Sequence, residues 1–263
     1  MKRRLLILGG TAEARALAAL AAERFGSRLE IMVSLAGRTR MPAAYAGMLR
    51  VGGFGGAEGL AAFLRDEKVD LLVDATHPFA ATISSHAVAA AAETRVALVR
   101  LQRQAWLPEP GDRWIEAVDA ASAAREAGTL GTRIFLSFGG RELAAFASLR
   151  DKWFLVRRIE PPNEKLPLEN YALTLGRGPF TLEDEVELLR ARSIDVLVTK
   201  ASGGSATRAK LDAARTLNLP VVMIAQPRAN PALTVASVDE AVRRIAAALF
   251  PDTAIDGPAA VSA

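Results

Sequence analysis

The sequence has no cysteine among its 263 residues. Disulfides, thiolate nucleophiles and cysteine-ligated metal sites are therefore excluded, and a reducing compartment suits the chain. Histidine is represented only by His77 and His86, and no metal site is expected. Aromatic residues make up 6% of the chain, too few for a platform on which nucleic-acid bases stack. Lysine and arginine are spread without a basic tract, so the formal charge of +4 points away from nucleic acid and toward small anionic ligands. Long apolar runs are missing as well. Met1-Lys2-Arg3-Arg4 leads only into Leu5 to Leu8 before Gly9-Gly10, too short for a signal-peptide core or a membrane span. A cytoplasmic protein with no membrane partner is expected, and the lack of a long amphipathic seam suggests a monomer.

What is present is a sequence written twice. Leu5-Leu6-Ile7-Leu8-Gly9-Gly10, with Glu13 and Leu17, is echoed by Ile134-Phe135-Leu136-Ser137-Phe138-Gly139-Gly140, with Glu142 and Leu143. Gly52-Gly53-Phe54-Gly55 is echoed by Gly176-Arg177-Gly178-Pro179-Phe180. Val69-Asp70-Leu71-Leu72-Val73-Asp74-Ala75-Thr76-His77-Pro78 is echoed by Ile194-Asp195-Val196-Leu197-Val198-Thr199-Lys200-Ala201-Ser202-Gly203. The echoes keep their order and lie about half a chain apart. Two such lobes facing a cleft suit an enzyme with two ligands, a cofactor and a substrate.

Short apolar runs without alternation lie at 4–8, 29–34, 69–74, 96–101, 133–138, 194–199 and 220–225, with further strands near 49–51 and 153–159. Such runs fit strands buried on both faces, as in parallel sheets. Helical stretches are expected at 11–25, 57–67, 80–93, 119–127, 140–149, 181–192, 205–217 and 238–249. The alternation gives an α/β class: two Rossmann-like lobes with mostly parallel sheets, related by the internal repeat, with a cleft between them. The expected division is 1–115, 116–250 and a flexible tail 251–263, with Asp112–Asp119 as the crossing.

Several loops carry the chemistry. Gly9-Gly10-Thr11 leaves a buried strand and opens a helix, the place for a phosphate or pyrophosphate, although the full G-x-G-x-x-G pattern is absent. The second strand runs into Ser34-Leu35-Ala36-Gly37-Arg38-Thr39 with no carboxylate to hold a ribose hydroxyl. Ser34, Arg38 and Thr39 suit a 2′-phosphate instead, which points to NADP rather than NAD. Gly53 lies in a glycine-dense strand end that suits a flat ligand. Thr76 and His77 leave another strand end, where His77 is placed to donate a proton or hold a carboxylate. Lys200 emerges from an apolar strand, where desolvation would make it a proton donor, or else a fixed cation for a carboxylate. Ser202 and Gly203 follow it, and Gly203-Gly204 before a helix forms another anion site. Arg15, Arg141 and Arg177, the last beside Gly178, add cations near the glycine-rich edges.

In this combination the residues resemble the precorrin-6A reductase family of cobalamin biosynthesis. The resemblance runs from about Leu5 to Ile245. Its most diagnostic stretch is Asp74-Ala75-Thr76-His77-Pro78-Phe79-Ala80, beside Leu8 to Arg15, Val51 to Gly56, Gly176 to Phe180 and Val198 to Gly204. Ser137-Phe138-Gly139-Gly140-Arg141 is a looser version of the family's turn. The resemblance implies NADPH-dependent reduction of the precorrin-6A macrocycle, an oxidoreductase step on a CH–CH group. NADPH would be held by Gly9, Gly10, Thr11, Ser34, Arg38, Thr39, Gly53 and Thr76. The polycarboxylate tetrapyrrole would be held by Arg15, Gly178, Lys200, Ser202 and Gly203, with Lys200 and then His77 as catalytic groups. The alternatives are a cobalt-precorrin-6A reductase, another NAD(P)-dependent reductase, a two-lobed tetrapyrrole- or anion-binding protein without catalysis, and a synthase of the uroporphyrinogen type.

Overall fold

The computed structural model describes residues 2–37, 44–227 and 232–251. Its first strands are β1 (Arg3–Leu8), β2 (Leu29–Leu35), β3 (Met48–Val51), β4 (Leu71–Asp74), β5 (Ala97–Leu101) and β6 (Trp114–Ala117). They are followed by β7 (Arg133–Leu136), β8 (Trp153–Arg158), β9 (Tyr171–Leu175), β10 (Val196–Lys200), β11 (Val221–Ile224) and β12 (Leu233–Val235). The helices are α1 (Ala12–Phe25), α2 (Ala57–Asp66), α3 (Ala81–Thr94), α4 (Ala120–Leu130), α5 (Leu182–Ala191), α6 (Ala209–Thr216) and α7 (Val238–Leu249).

The chain forms two units. Residues up to Arg103, with those from Pro227 onward, make one, and Gln104–Gln226 make the other. The first sheet has the order β12-β5-β4-β1-β2-β3, and the second β6-β11-β10-β7-β8-β9. Every strand pairing is parallel. In each sheet the order reverses beside the first strand of the repeat, at β1/β4 and at β7/β10, where doubly wound sheets take their ligands.

The sixth strand of each sheet comes from the other repeat. β6 follows the first repeat but pairs with β11, Trp114 opposite Val221. β12 follows the second repeat but pairs with β5, Leu233 opposite Val99. The expected boundaries therefore differ from those observed. The Asp112–Asp119 crossing contains a strand of the second sheet, and 233–249 return to the first unit rather than staying with 116–250. These strands are too short, three and four residues, to stand out in sequence. The return is driven by α7, which places Ala241, Val242, Ile245, Ala246 and Leu249 in one core with Leu17, Ala21 and Phe25 of α1. Those five positions form one face at helical spacing.

The repeat is also visible in polar detail at the amino ends of the sheets. Arg4 N–H donates to Asp70 Oδ2 at 2.7 Å, and Asp70 N–H donates back to the Arg4 carbonyl at 2.9 Å. Arg133 N–H donates to Asp195 Oδ2 at 2.9 Å, and Asp195 N–H returns to the Arg133 carbonyl at 2.8 Å. One departure lies at 140–149. The expected helix is only a 3-10 turn over Arg141–Phe146, which buries Leu143 and Phe146 and sets Glu142 against Lys200. No helix among the described residues is long and apolar enough to cross a membrane.

Candidate functional site

In the first unit, β1 ends at Leu8 and turns through Gly9-Gly10 into α1. Gly9 N–H donates to the Ser34 carbonyl at 2.9 Å, which continues the pairing with β2. Gly10 has a φ of +108°, and a Cβ there would meet nothing within 4 Å. Only glycine adopts that backbone readily. Thr11 caps the helix: its Oγ1 accepts from Ala14 N–H at 3.0 Å and donates to the Ala75 carbonyl at 2.8 Å. One hydroxyl thus ties the β1 turn to the β4 turn. The N-terminus of α1 adds positive potential at this edge. Glu13 in that turn pairs with Arg103 at 2.8 Å. Burial opposes its ionisation, but the Arg103 hydrogen bond and charge outweigh it and hold the carboxyl below its usual range. Arg15 is exposed on α1.

The ends of β2 and β3 lie beside this turn. Ser34 is buried and stands opposite Arg50 in register. Arg50 donates from Nη1 to the Gly52 carbonyl at 2.6 Å and from Nη2 to the Gly53 carbonyl at 2.8 Å, and Nη1 lies 3.4 Å from Ser34 Oγ. Its guanidinium sits 4.0 Å from the Phe54 ring centroid. Side chains added at Gly52, Gly53, Gly55 or Gly56 would meet open space, so the backbone there is accessible to a ligand. No local sequence pattern marks Arg50. The signal is its register opposite Ser34, which depends on the pairing of β2 with β3. Arg38 and Thr39 lie outside the described residues.

Asp74 ends β4, almost fully buried. Its Oδ1 accepts from Thr76 N–H at 3.1 Å and from Thr76 Oγ1 at 2.6 Å, while Oδ2 faces buried Arg100 at 3.9 Å. Thr76 is thus fixed by a carboxylate whose charge is matched within the sheet. His77 Nδ1 accepts from Phe79 N–H at 3.2 Å, so a neutral His77 carries its proton on Nε2.

In the second unit, Ser137 Oγ donates to Thr199 Oγ1 at 2.7 Å, tying the end of β7 to the end of β10. Lys200 follows, with 14% of its side chain exposed, in a hydrogen-bonded ion pair with Glu142 of the 3-10 turn. Its Nζ lies 5.5 Å from the Phe138 ring centroid. The expectation of a desolvated lysine needs amending. The stem is buried, but the ammonium faces a carboxylate, as buried charges do. Ser202 is buried, and its N–H donates to the Lys200 carbonyl at 2.6 Å. Gly203 and Gly204 do not open a helix as expected. A turn intervenes and α6 begins only at Ala209. A Cβ on Gly178 would lie 2.6 Å from the Ala206 carbonyl oxygen, so glycine there lets the loop after β9 touch the loop after β10. Gly178, Ser202 and Gly203 are thereby brought to one edge with Lys200, while Arg141 and Arg177 are exposed.

The second unit has its own arginine at the end of β8. Arg157 stands opposite Thr174 in register, as Ser34 stands opposite Arg50. Its guanidinium lies 4.1 Å from the Phe180 ring centroid and pairs with Glu185 of α5, which is 1% exposed.

The model of the family described as precorrin-6x reductase CbiJ/CobK matches residues 4–246. A precorrin-6A reductase of Rhodococcus erythropolis is 51% identical over 243 residues, 92% of this chain and 96% of the relative. One from Sinorhizobium sp is 46% identical over 250 residues, 95% of each chain. A cobalt-precorrin-6A reductase of Priestia megaterium is 29% identical over 201 residues, 72% of this chain and 77% of the relative. Among solved structures, a CobK precorrin-6A reductase matches with a TM-score of 0.88 at 41% identity, over 94% of this chain and 97% of that one. The matched span runs through both parallel sheets, and the chain belongs to the precorrin-6x reductase CbiJ/CobK family.

Proposed function

We propose that this chain reduces precorrin-6A to precorrin-6B with NADPH, adding a hydride to one carbon of the macrocycle and a proton to its neighbour. A reductase of this family needs a hydride donor, and the bound dihydronicotinamide supplies the hydride. The residues of the first unit fit a dinucleotide. Gly10 at φ +108° opens the β1 turn, the α1 N-terminus faces it, and the β3 loop offers unobstructed backbone. Gly9, Gly10 and Thr11 hold the pyrophosphate, and Gly53 and Thr76 line the ligand. Ser34, Arg38 and Thr39 meet the 2′-phosphate, with no carboxylate at the β2 end to repel it.

In the second unit Lys200 faces the substrate. It delivers the proton to the ring or holds the ring's developing charge, and Glu142 fixes where the ammonium stands. His77 is the second candidate donor, through the proton on Nε2. Arg15, Gly178, Ser202 and Gly203 receive the acetate and propionate arms. The observations that carry this reading are an open glycine turn at the β1/β4 reversal of the first unit and, within the second unit, a buried lysine at the β10 end. The metal-free substrate is favoured over its cobalt complex. Precorrin-6A reductases reach 51% identity with the chain, against 29% for the cobalt-precorrin relative from Priestia megaterium.

Lys200→Ala tests the assignment. Turnover is expected to fall by roughly 100-fold or more, with NADPH affinity little changed. Unchanged turnover would remove Lys200 from the reaction.

A further inference from the structure

We propose that Arg50 is a further residue that makes the first unit choose NADPH over NADH, by binding the 2′-phosphate together with Ser34 and beside the contribution of Arg38. The inference rests on the NADPH reading above and extends it to a residue that no sequence motif marked.

The internal repeat carries the argument. Both units place an arginine in the outer strand pair, Arg50 on β3 and Arg157 on β8, and stack it on a phenylalanine from the loop after the outermost strand, β3 or β9. Arg50 lies 4.0 Å from Phe54, and Arg157 lies 4.1 Å from Phe180. The two arginines differ in their counter-ion. Arg157 is neutralised by Glu185, the fourth residue of α5. The fourth residue of α2, the matching helix, is Leu60. The two helices correspond closely, since each is ten residues long and each is followed by a left-handed residue, Lys68 and Ser193. Among the described residues Arg50 is paired with no carboxylate. Its guanidinium is half-buried and already oriented by the Gly52 and Gly53 carbonyls and by the Phe54 ring. A charge held rigid beside a buried hydroxyl, with no internal anion, is suited to an external one. A planar fork is also the group that engages a phosphate through two N–H donors. In the second unit the arginine comes from β8, the counterpart of β2, and is closed in an ion pair with Glu185, which leaves no charge for a phosphate.

A purely structural role is the competing account, in which Arg50 only latches the glycine loop through its two carbonyl contacts. The two accounts differ in what they do to NAD+. Isothermal titration of the whole protein with NADP+ and with NAD+ tests them without turnover. Arg50→Gln is expected to weaken NADP+ roughly 10- to 100-fold, while NAD+ affinity stays within about twofold of the parent value. Arg50→Lys keeps the charge but loses the fork, and an intermediate loss on NADP+ alone is expected. Melting temperatures measured alongside identify any variant that has not folded. Equal losses on both nucleotides, in whichever variant folds, would overturn the proposal and leave Arg50 as a latch. Retained preference for NADP+ in Arg50→Gln would also overturn it while leaving the NADPH reading intact. A parent protein that binds NAD+ as tightly as NADP+ would overturn both.

Discussion

A cation ends β10 in this protein, and its surroundings define what it can do. Lys200 is mostly buried and faces Glu142, so its ammonium is held at one point beside Phe138. Glu142→Gln keeps the volume and removes the charge that positions it. Turnover with precorrin-6A is expected to fall by roughly 10- to 100-fold, with Glu142→Asp recovering part of the loss and NADPH affinity unaffected in both. Steady-state kinetics beside nucleotide titration would show it, and equal damage by Gln and Asp would argue for a merely structural pair. Arg38, which follows β2 in the sequence, is expected to contribute to NADPH affinity but not to NADH affinity. Equal losses for the two cofactors in Arg38→Ala would remove it from the 2′-phosphate. At this scale the sequence was informative where a residue type is rare in its setting. Gly10, Thr11, Ser34 and Lys200 could be picked out because each follows an apolar run that ends a strand. Arg50 and Glu142 could not. Their roles depend on the neighbour opposite them, Ser34 in the pairing of β2 with β3 and Lys200 across the second unit's sheet edge, and no local pattern encodes that neighbour.

At the scale of elements, the two repeats are held at their amino ends by aspartates and at their carboxyl ends by close turns. Asp195 accepts from Thr132 N–H and Arg133 N–H, both at 2.9 Å, and from Thr132 Oγ1 at 3.1 Å. Burial works against its ionisation, yet the backbone hydrogen bonds from Arg133 and Thr132 win, and its pKa is lowered. A carboxyl with a depressed folded pKa stabilises the fold above its unfolded value, near about 3.9, and that contribution is lost as the pH falls through the folded value. Asp195→Asn should therefore destabilise the fold at neutral pH, by about 1 kcal/mol at most, because solvent screens the exposed carboxylate. The difference from the parent should shrink as the pH falls below about 4, where the parent's Asp195 progressively loses its charge and the variant has none to lose. Urea unfolding at a series of pH values reads this directly, and a pH-independent difference would contradict it. At the other end, Gly178→Ala forces a Cβ against the Ala206 carbonyl, 2.6 Å away. The loop after β9 must then move off the loop after β10, and weaker substrate binding with unaltered NADPH binding is expected. Strands and long helices were legible at this scale because apolar runs and helical spacing announce them. The 3-10 turn at 141–146 and the late start of α6 were not, since the helix preference of the alanines there gave way to the contacts of Glu142 with Lys200 and of Trp106 with the Gly204 carbonyl.

For the whole molecule, the sequence repeat foretold two similar parallel sheets but not their exchange of final strands. Pairing of β6 with β11 and of β12 with β5 depends on which short strand finds which edge, and a three-residue strand carries little pattern. The exchange has a consequence for truncation. A chain ending at Gln226 lacks β12 and α7, and with them Val235, Ala241, Val242, Ile245, Ala246 and Leu249 of the first unit's core. Such a chain is expected to lose NADPH binding and to expose its first unit to protease. Parent-like nucleotide affinity would show that α7 is dispensable. The central claim concerns the reaction itself, and anaerobic absorbance of the purified protein with precorrin-6A, on adding NADPH and then NADH, tests it most directly. The account predicts a shift in the macrocycle spectrum matched by loss of NADPH absorbance, and little change with NADH. Bound tetrapyrrole with no oxidation of NADPH, or no binding of either ligand, would contradict it.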